Sequence, residues 1–205
     1  MVSVLLKDQG LIFLHVPKTA GGSISRALHR RPDAELYRVR DMADAEPCAQ
    51  QLERQLGLPL AEFRTVAVVR NPWDWTVSGY LHVTQNLPAF EVVPSFGDFV
   101  RGVWERPTIR QYPSKFSNPI SYVEYHTQIT QWEHLTIKGD PIALNAVCRF
   151  ESLERDVMDV FGTDIELPHA NKSERKPYAS YYDEETKQLV ARRNAHLIEE
   201  YGYRF

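Results

Sequence analysis

The 205-residue chain is poor in cysteine, in long apolar runs and in any excess of one charge. Two cysteines, Cys48 and Cys148, are too few for a disulfide scaffold, and their wide separation fits neither a zinc knuckle nor a CxxC redox pair. Both read as small buried apolar residues, with no metal or redox role. Lys plus Arg number 24 against 27 Asp plus Glu, a net charge of −3. That balance excludes the strongly basic surface of a general nucleic-acid coat protein, so no nucleic-acid partner is expected. Apolar residues gather at 2–6 and 11–16, but Lys7, Asp8 and Gln9 interrupt them. Neither half approaches the roughly 20 residues of a membrane span, and no signal-peptide pattern follows. The expectation is a cytoplasmic protein without a membrane span. Repeats and low-complexity tracts are also lacking. What is there, 43% hydrophobic and 25% charged, is ordinary globular composition at a length that suits one domain over residues 1–205.

Along the chain, apolar runs alternate with helical periodicity. Residues 11–16, apolar but for His15, read as a short strand buried on both faces. A tight turn follows, and then Ile24, Ala27 and Leu28 at helical spacing. Further strands are expected at 34–39, 65–69 and 143–150, and helices at 47–56, 95–104 and 151–161. Asn71 and Pro72 suit the cap and first position of a helix running towards Val83. Pro107, Pro113 and Pro119 mark residues 106–121 as a long loop. A last helix over 183–201 would bury Val190, Asn194, Leu197, Ile198 and Tyr201. Alternating strands and helices predict an α/β fold, a parallel β-sheet flanked by helices.

The first turn carries the chemistry. Pro17-Lys18-Thr19-Ala20-Gly21-Gly22-Ser23 joins a buried strand to a helix start. The unpaired amides of a first helical turn and the helix dipole attract an anion, and glycines let it approach the backbone. A Gly-Gly pair alone would be an ordinary tight turn. Here Lys18 adds a full positive charge, and Thr19 and Ser23 add hydroxyls, which favours an anion site. The order is not that of a Walker A loop, in which the lysine follows the glycines. Moreover, the strand at 65–69 leads into Arg70, where nucleoside triphosphatases place an Asp that helps to hold Mg²⁺. A guanidinium there suits direct phosphate contact and a reaction that needs no metal.

With these residues in place, the chain resembles the sulfotransferases that use 3′-phosphoadenosine 5′-phosphosulfate (PAPS). Phe13-Leu14-His15-Val16-Pro17-Lys18-Thr19-Ala20-Gly21-Gly22-Ser23 is similar to their 5′-phosphosulfate loop. Val69-Arg70-Asn71-Pro72-Trp73-Asp74, followed by Ser78 and Tyr80, is similar to their 3′-phosphate motif. The likeness continues through Arg149-Phe150-Glu151-Ser152-Leu153 and the tail from Tyr181 to Tyr203, and is nearest to the carbohydrate-sulfotransferase branch with its soluble bacterial members. It implies a sulfotransferase fold related to P-loop nucleoside triphosphate hydrolases. It also implies that Lys18, Thr19, Ala20, Gly21, Gly22 and Ser23 hold the phosphosulfate, and that Arg70 and Ser78 hold the 3′-phosphate. Residues 171–178, with Lys172, Ser173 and Arg175, resemble a late loop that closes over the nucleotide.

The reaction implied is transfer of a sulfuryl group from PAPS, as co-substrate, to a hydroxyl or amine of a glycan, glycolipid or small metabolite. Lys18 is the group expected to neutralise the transition state. Relatives place a His between the first turn and the Arg-Asn-Pro strand, whereas that interval here holds only His29. His126 and Asp41 are therefore the candidate general bases, ahead of Asp44, Glu46 and His82, and His15 reads as a packed histidine. Tyr112, Phe116, Tyr122, Tyr125 and Trp132 could stack on sugar rings or cover the core. Two other readings stay open: a P-loop kinase-like phosphotransferase, and a non-catalytic nucleotide-binding relative.

Overall fold

The computed structural model describes residues 1–38, 46–85, 94–102, 119–162, 165–168 and 175–205, with 119–122 described by backbone alone. Elements through the first half are β1 (Val2–Leu6), β2 (Leu11–Leu14), α1 (Gly21–Leu28), β3 (Ala34–Arg38), α2 (Cys48–Leu56), β4 (Arg64–Val69), α3 (Pro72–Gln85) and α4 (Phe96–Arg101). The second half adds α5 (Pro119–Thr127), α6 (Gln131–His134), β5 (Thr136–Ile137), β6 (Asp140–Pro141), β7 (Ala146–Arg149), α7 (Leu153–Phe161), α8 (Glu184–Arg193) and α9 (Ala195–Tyr201). Two compact units result: one holds the strands with α1, α2 and α7, the other holds α3, α4, α5, α8 and α9.

The first unit is α/β, with a five-stranded sheet in the order β3-β1-β2-β4-β7 flanked by helices. Side chains alternate across it. Val4, Leu6, Leu11, Phe13, Val66, Val68 and Cys148 share a cluster with Ile24 and Leu28 of α1 and Val157 and Phe161 of α7. Their neighbours Leu5, Ile12, Leu14, Ala67 and Val69 are buried as well. Such burial on both faces is what the unbroken apolar runs require.

The sheet is mixed, which corrects the expectation of a parallel one. β2, β4 and β7 do run parallel, with Phe13 opposite Val66 and Val68 opposite Cys148. β1, however, pairs antiparallel with both β2 and β3. The polar residues 7–9 that interrupt the apolar terminus form a 3-10 turn, closed by Gly10 at φ 54, and fold one half of the terminus back on the other. An L-residue would be strained at that left-handed φ. The interruption is thus a hairpin loop between two strands, not the ragged edge of one.

In the second unit, Asn71 caps α3 as expected. Its side-chain oxygen accepts from the amides of Trp73 and Asp74 at 3.0 and 3.2 Å. The Trp73 indole donates to the Lys187 carbonyl at 2.9 Å, and the Tyr182 hydroxyl donates to the Trp73 carbonyl at 2.8 Å. These bonds tie α3 to the C-terminal segment. Two expectations need correction here. The stretch assigned to a loop up to residue 121 already includes the start of α5, whose first residue is Pro119. Proline is tolerated there because a first-turn amide has no helical partner. Separately, the single helix expected over 183–201 is two helices, broken at Asn194 (φ −113, ψ 23), whose amide side chain donates back to the Val190 carbonyl at 2.9 Å. Val190, Asn194 and Leu197 are buried as expected, while Ile198 and Tyr201 are half-buried.

Candidate functional site

Parallel strands β2, β4 and β7 bring three segments to their shared carboxyl end: residues 17–20, Arg70 and Phe150. In open α/β sheets this is where ligands bind. The turn's left-handed residues are Lys18 (φ 62) and Ala20 (φ 65). Gly21 and Gly22 already belong to α1.

The two glycines then have separate uses. A Cβ at Gly21 would lie 2.2 Å from Cδ2 of the His15 ring, so packing demands glycine there. A Cβ at Gly22 would meet only a guanidinium nitrogen of Arg26, at 4.0 Å. Gly22 therefore leaves open space beside the backbone.

The hydrogen bonds identify the cradle. Among the described residues, the amides of Thr19, Ala20, Gly21 and Gly22 donate to no acceptor. Ser23 N–H closes the turn onto the Ala20 carbonyl at 2.9 Å. The cap residue of α1 is Ala20, which has no side-chain acceptor to fill the helix end, and α1 has no acidic residue in its first turn. The Ser23 hydroxyl has no hydrogen-bond partner among the described residues. The Thr19 hydroxyl, by contrast, is buried and donates inward to the Val16 carbonyl at 2.9 Å. It staples the turn, which leaves Thr19 its backbone N–H for an anion. Arg70 sits directly against this turn. Its Nη1 donates to the Lys18 carbonyl at 2.9 Å, and its guanidinium carbon lies 3.9 Å from the centre of the Phe150 ring.

His15, just after β2, supports the turn from below. Its Nδ1 lies 3.2 Å from the Val2 nitrogen and its N–H donates to the Ser3 hydroxyl at 3.1 Å. Burial pushes its pKa down to about 3, with the positive α-amino group of Met1 as the second cause. The imidazole is therefore neutral at physiological pH. An unfolded chain takes up this proton near pH 6.5, whereas the folded chain resists it down to about 3. His15 thus contributes its full stability above about pH 6.5 and loses it as pH falls through that window, at up to roughly 1.4 kcal/mol per pH unit. Urea unfolding between pH 4 and 6 should show a flatter stability curve for His15→Gln than for the parent. Parallel curves would remove this role. Cys48 is a contact the sequence did not disclose: its Sγ donates to the His15 carbonyl at 3.3 Å and lies 3.2 Å from Nδ1 of the buried His134. Cys148 is buried in the core, with its thiol pushed up to about 12 by that burial and by nearby Asp156.

The remaining candidates lie elsewhere or outside the described residues. Lys18 to Ser23 and Arg70 share the first unit, whereas Ser78, His126 and Arg175 belong to the second. Ser78 is half-buried on α3. His126 sits in the last turn of α5 and is 5% exposed. Its ring centroid lies 5.2 Å from that of His82, which brings two of the candidate bases together. Gly79, on the same helix as His82, permits this approach: a Cβ there would stand 3.0 Å from the His126 carbonyl oxygen. Arg175 is ion-paired with Asp74 in the first turn of α3, and its Nη1 is buried without a partner among the described residues. Glu46 accepts from Gln50 at 2.8 Å and pairs with Arg54 at 2.8 Å, a role at the start of α2. Tyr125 is wholly buried and belongs to the core, whereas Trp132 stacks on His196. Asp41, Asp44, Lys172, Ser173, Tyr112 and Phe116, and the side chain of Tyr122, lie outside what is described.

Among the described residues no group of three or more His, Cys, Asp or Glu could hold a metal ion, and no helix is long and apolar enough to cross a membrane. Comparison with protein-family models, with curated proteins and with solved structures finds no match to this chain.

Proposed function

We propose that this protein is a PAPS-dependent sulfotransferase that sulfates a hydroxyl or amine of a carbohydrate or small-molecule acceptor. The observation that carries the reading is the cradle: four amides and a serine hydroxyl with no hydrogen-bond partner among the described residues, in one strand-to-helix turn beside Lys18 and Arg70. Its order of residues and the arginine after β4 favour PAPS over a Mg²⁺-bound triphosphate, and the resemblance of the two motifs names the sulfuryl donor.

In this reading the amides of Thr19 to Gly22 and the Ser23 hydroxyl hold the 5′-phosphosulfate. The acceptor oxygen attacks sulfur in line, and the bond from sulfur to the bridging oxygen breaks. Lys18 neutralises the charge growing on that oxygen. The acceptor proton passes to a base, for which His126 and Asp41 are the proposed residues, and Ser78, Arg70, Lys172, Ser173 and Arg175 are proposed to hold the remainder of the nucleotide. Incubation with ³⁵S-labelled PAPS and a panel of glycans and small metabolites should move label to at least one acceptor. Tight nucleotide binding with no transfer to any acceptor would favour a non-catalytic relative instead.

A further inference from the structure

The Arg70 side chain is 5% exposed and is held on two sides, by the Lys18 carbonyl at 2.9 Å and by the face of Phe150 at 3.9 Å. A carbonyl held in this way has a consequence one atom further on. The peptide joining Lys18 to Thr19 is planar and trans, so its C=O and the Thr19 N–H point in opposite directions. Fixing the oxygen therefore aims the hydrogen. Thr19 N–H is the first of the four cradle amides that lack an acceptor among the described residues. The same peptide follows Lys18 at φ 62, a conformation an L-residue holds only when its surroundings impose it. The Thr19 hydroxyl also pins the turn to the Val16 carbonyl at 2.9 Å. Donation from a charged guanidinium also polarises that peptide and makes its N–H a stronger donor.

We infer that Arg70 is a positioning residue: held by Phe150, it fixes the Lys18–Thr19 peptide and so aims the first amide of the anion cradle. It acts on the 5′ end of the nucleotide through the protein backbone, beside the 3′-phosphate role proposed above. The affinity part of this inference rests on the nucleotide reading above; the backbone part does not.

Calorimetric titrations of the parent, Arg70→Lys and Phe150→Leu chains with 3′-phosphoadenosine 5′-phosphate and with adenosine 5′-phosphosulfate, which lacks the 3′-phosphate, separate the two roles. Lysine keeps the charge but loses the planar fork, and should weaken both ligands, adenosine 5′-phosphosulfate included, by about ten- to a hundredfold. Phe150→Leu keeps Arg70 and should weaken both by about fivefold. A loss confined to the ligand with the 3′-phosphate, or no loss for either ligand, overturns the inference. Should Arg70→Lys fail to fold, the Phe150→Leu titrations decide by the same criteria. In the nucleotide-free chain, the Thr19 amide resonance should move in both variants, and an unmoved resonance also overturns it. If the parent binds neither nucleotide, the sulfotransferase reading falls and the Thr19 resonance decides this inference alone.

Discussion

Lys18→Ala is expected to lower sulfate transfer by about 10²–10³-fold, the usual loss when one preorganised charge-stabilising group leaves a transition state. Affinity for 3′-phosphoadenosine 5′-phosphate should fall only about tenfold or less, because the four amides and the Ser23 hydroxyl remain. Steady-state kinetics beside calorimetry would show the split between turnover and binding. The backbone supplies a control. Lys18 sits at φ 62, where an L-residue costs about 1–2 kcal/mol and glycine costs far less. Lys18→Gly should therefore fold at least as well as Lys18→Ala and be equally inactive. If both variants turn over like the parent, Lys18 is not the group that meets the developing charge.

The second large effect falls on stability and divides two adjacent glycines that look alike in the sequence. Gly21→Ala would drive a methyl to 2.2 Å from the His15 ring, which β1 holds in place through Val2. Overpacking of this kind costs about 3 kcal/mol or more where the neighbour cannot retreat. Gly22→Ala meets open space and gains helix propensity, so it should stabilise by about 0.5–1 kcal/mol. Urea midpoints at constant slope would read both changes. Gly22→Ala should also weaken nucleotide binding, since its methyl occupies the space beside an amide of the cradle. A Gly22→Ala chain that is both more stable and an undiminished binder would place the ligand elsewhere.

Much of this architecture was legible in the residues. The runs at 11–16 and 65–69 read as strands buried on both faces, and Asn71-Pro72 wrote the start of α3 directly. The hairpin of β1 and β2 was not legible, because three polar residues between apolar halves read equally as a break or as a turn. What decided it was pairing with β3, a contact distant in sequence. α5 was hidden by prolines whose spacing suggested a loop, although Pro119 serves as its first residue. At the site, composition identified the turn but not its geometry. Positive φ falls at Lys18 and Ala20, which the residues did not disclose, and Gly21 is needed where the His15 ring lies against the helix start. Arg70 was legible as a phosphate-sized cation. Its bond to the Lys18 carbonyl could not be read from residues so far apart in the chain.

This turn is proposed to hold the 5′ end of a nucleotide bearing a 3′-phosphate. Titration of the parent chain with 3′-phosphoadenosine 5′-phosphate, in parallel with Mg²⁺-ATP, tests it most directly. The former should bind at one site and weaken in Lys18→Ala, with Mg²⁺-ATP binding far more weakly. Tight binding of Mg²⁺-ATP with no binding of 3′-phosphoadenosine 5′-phosphate would contradict it.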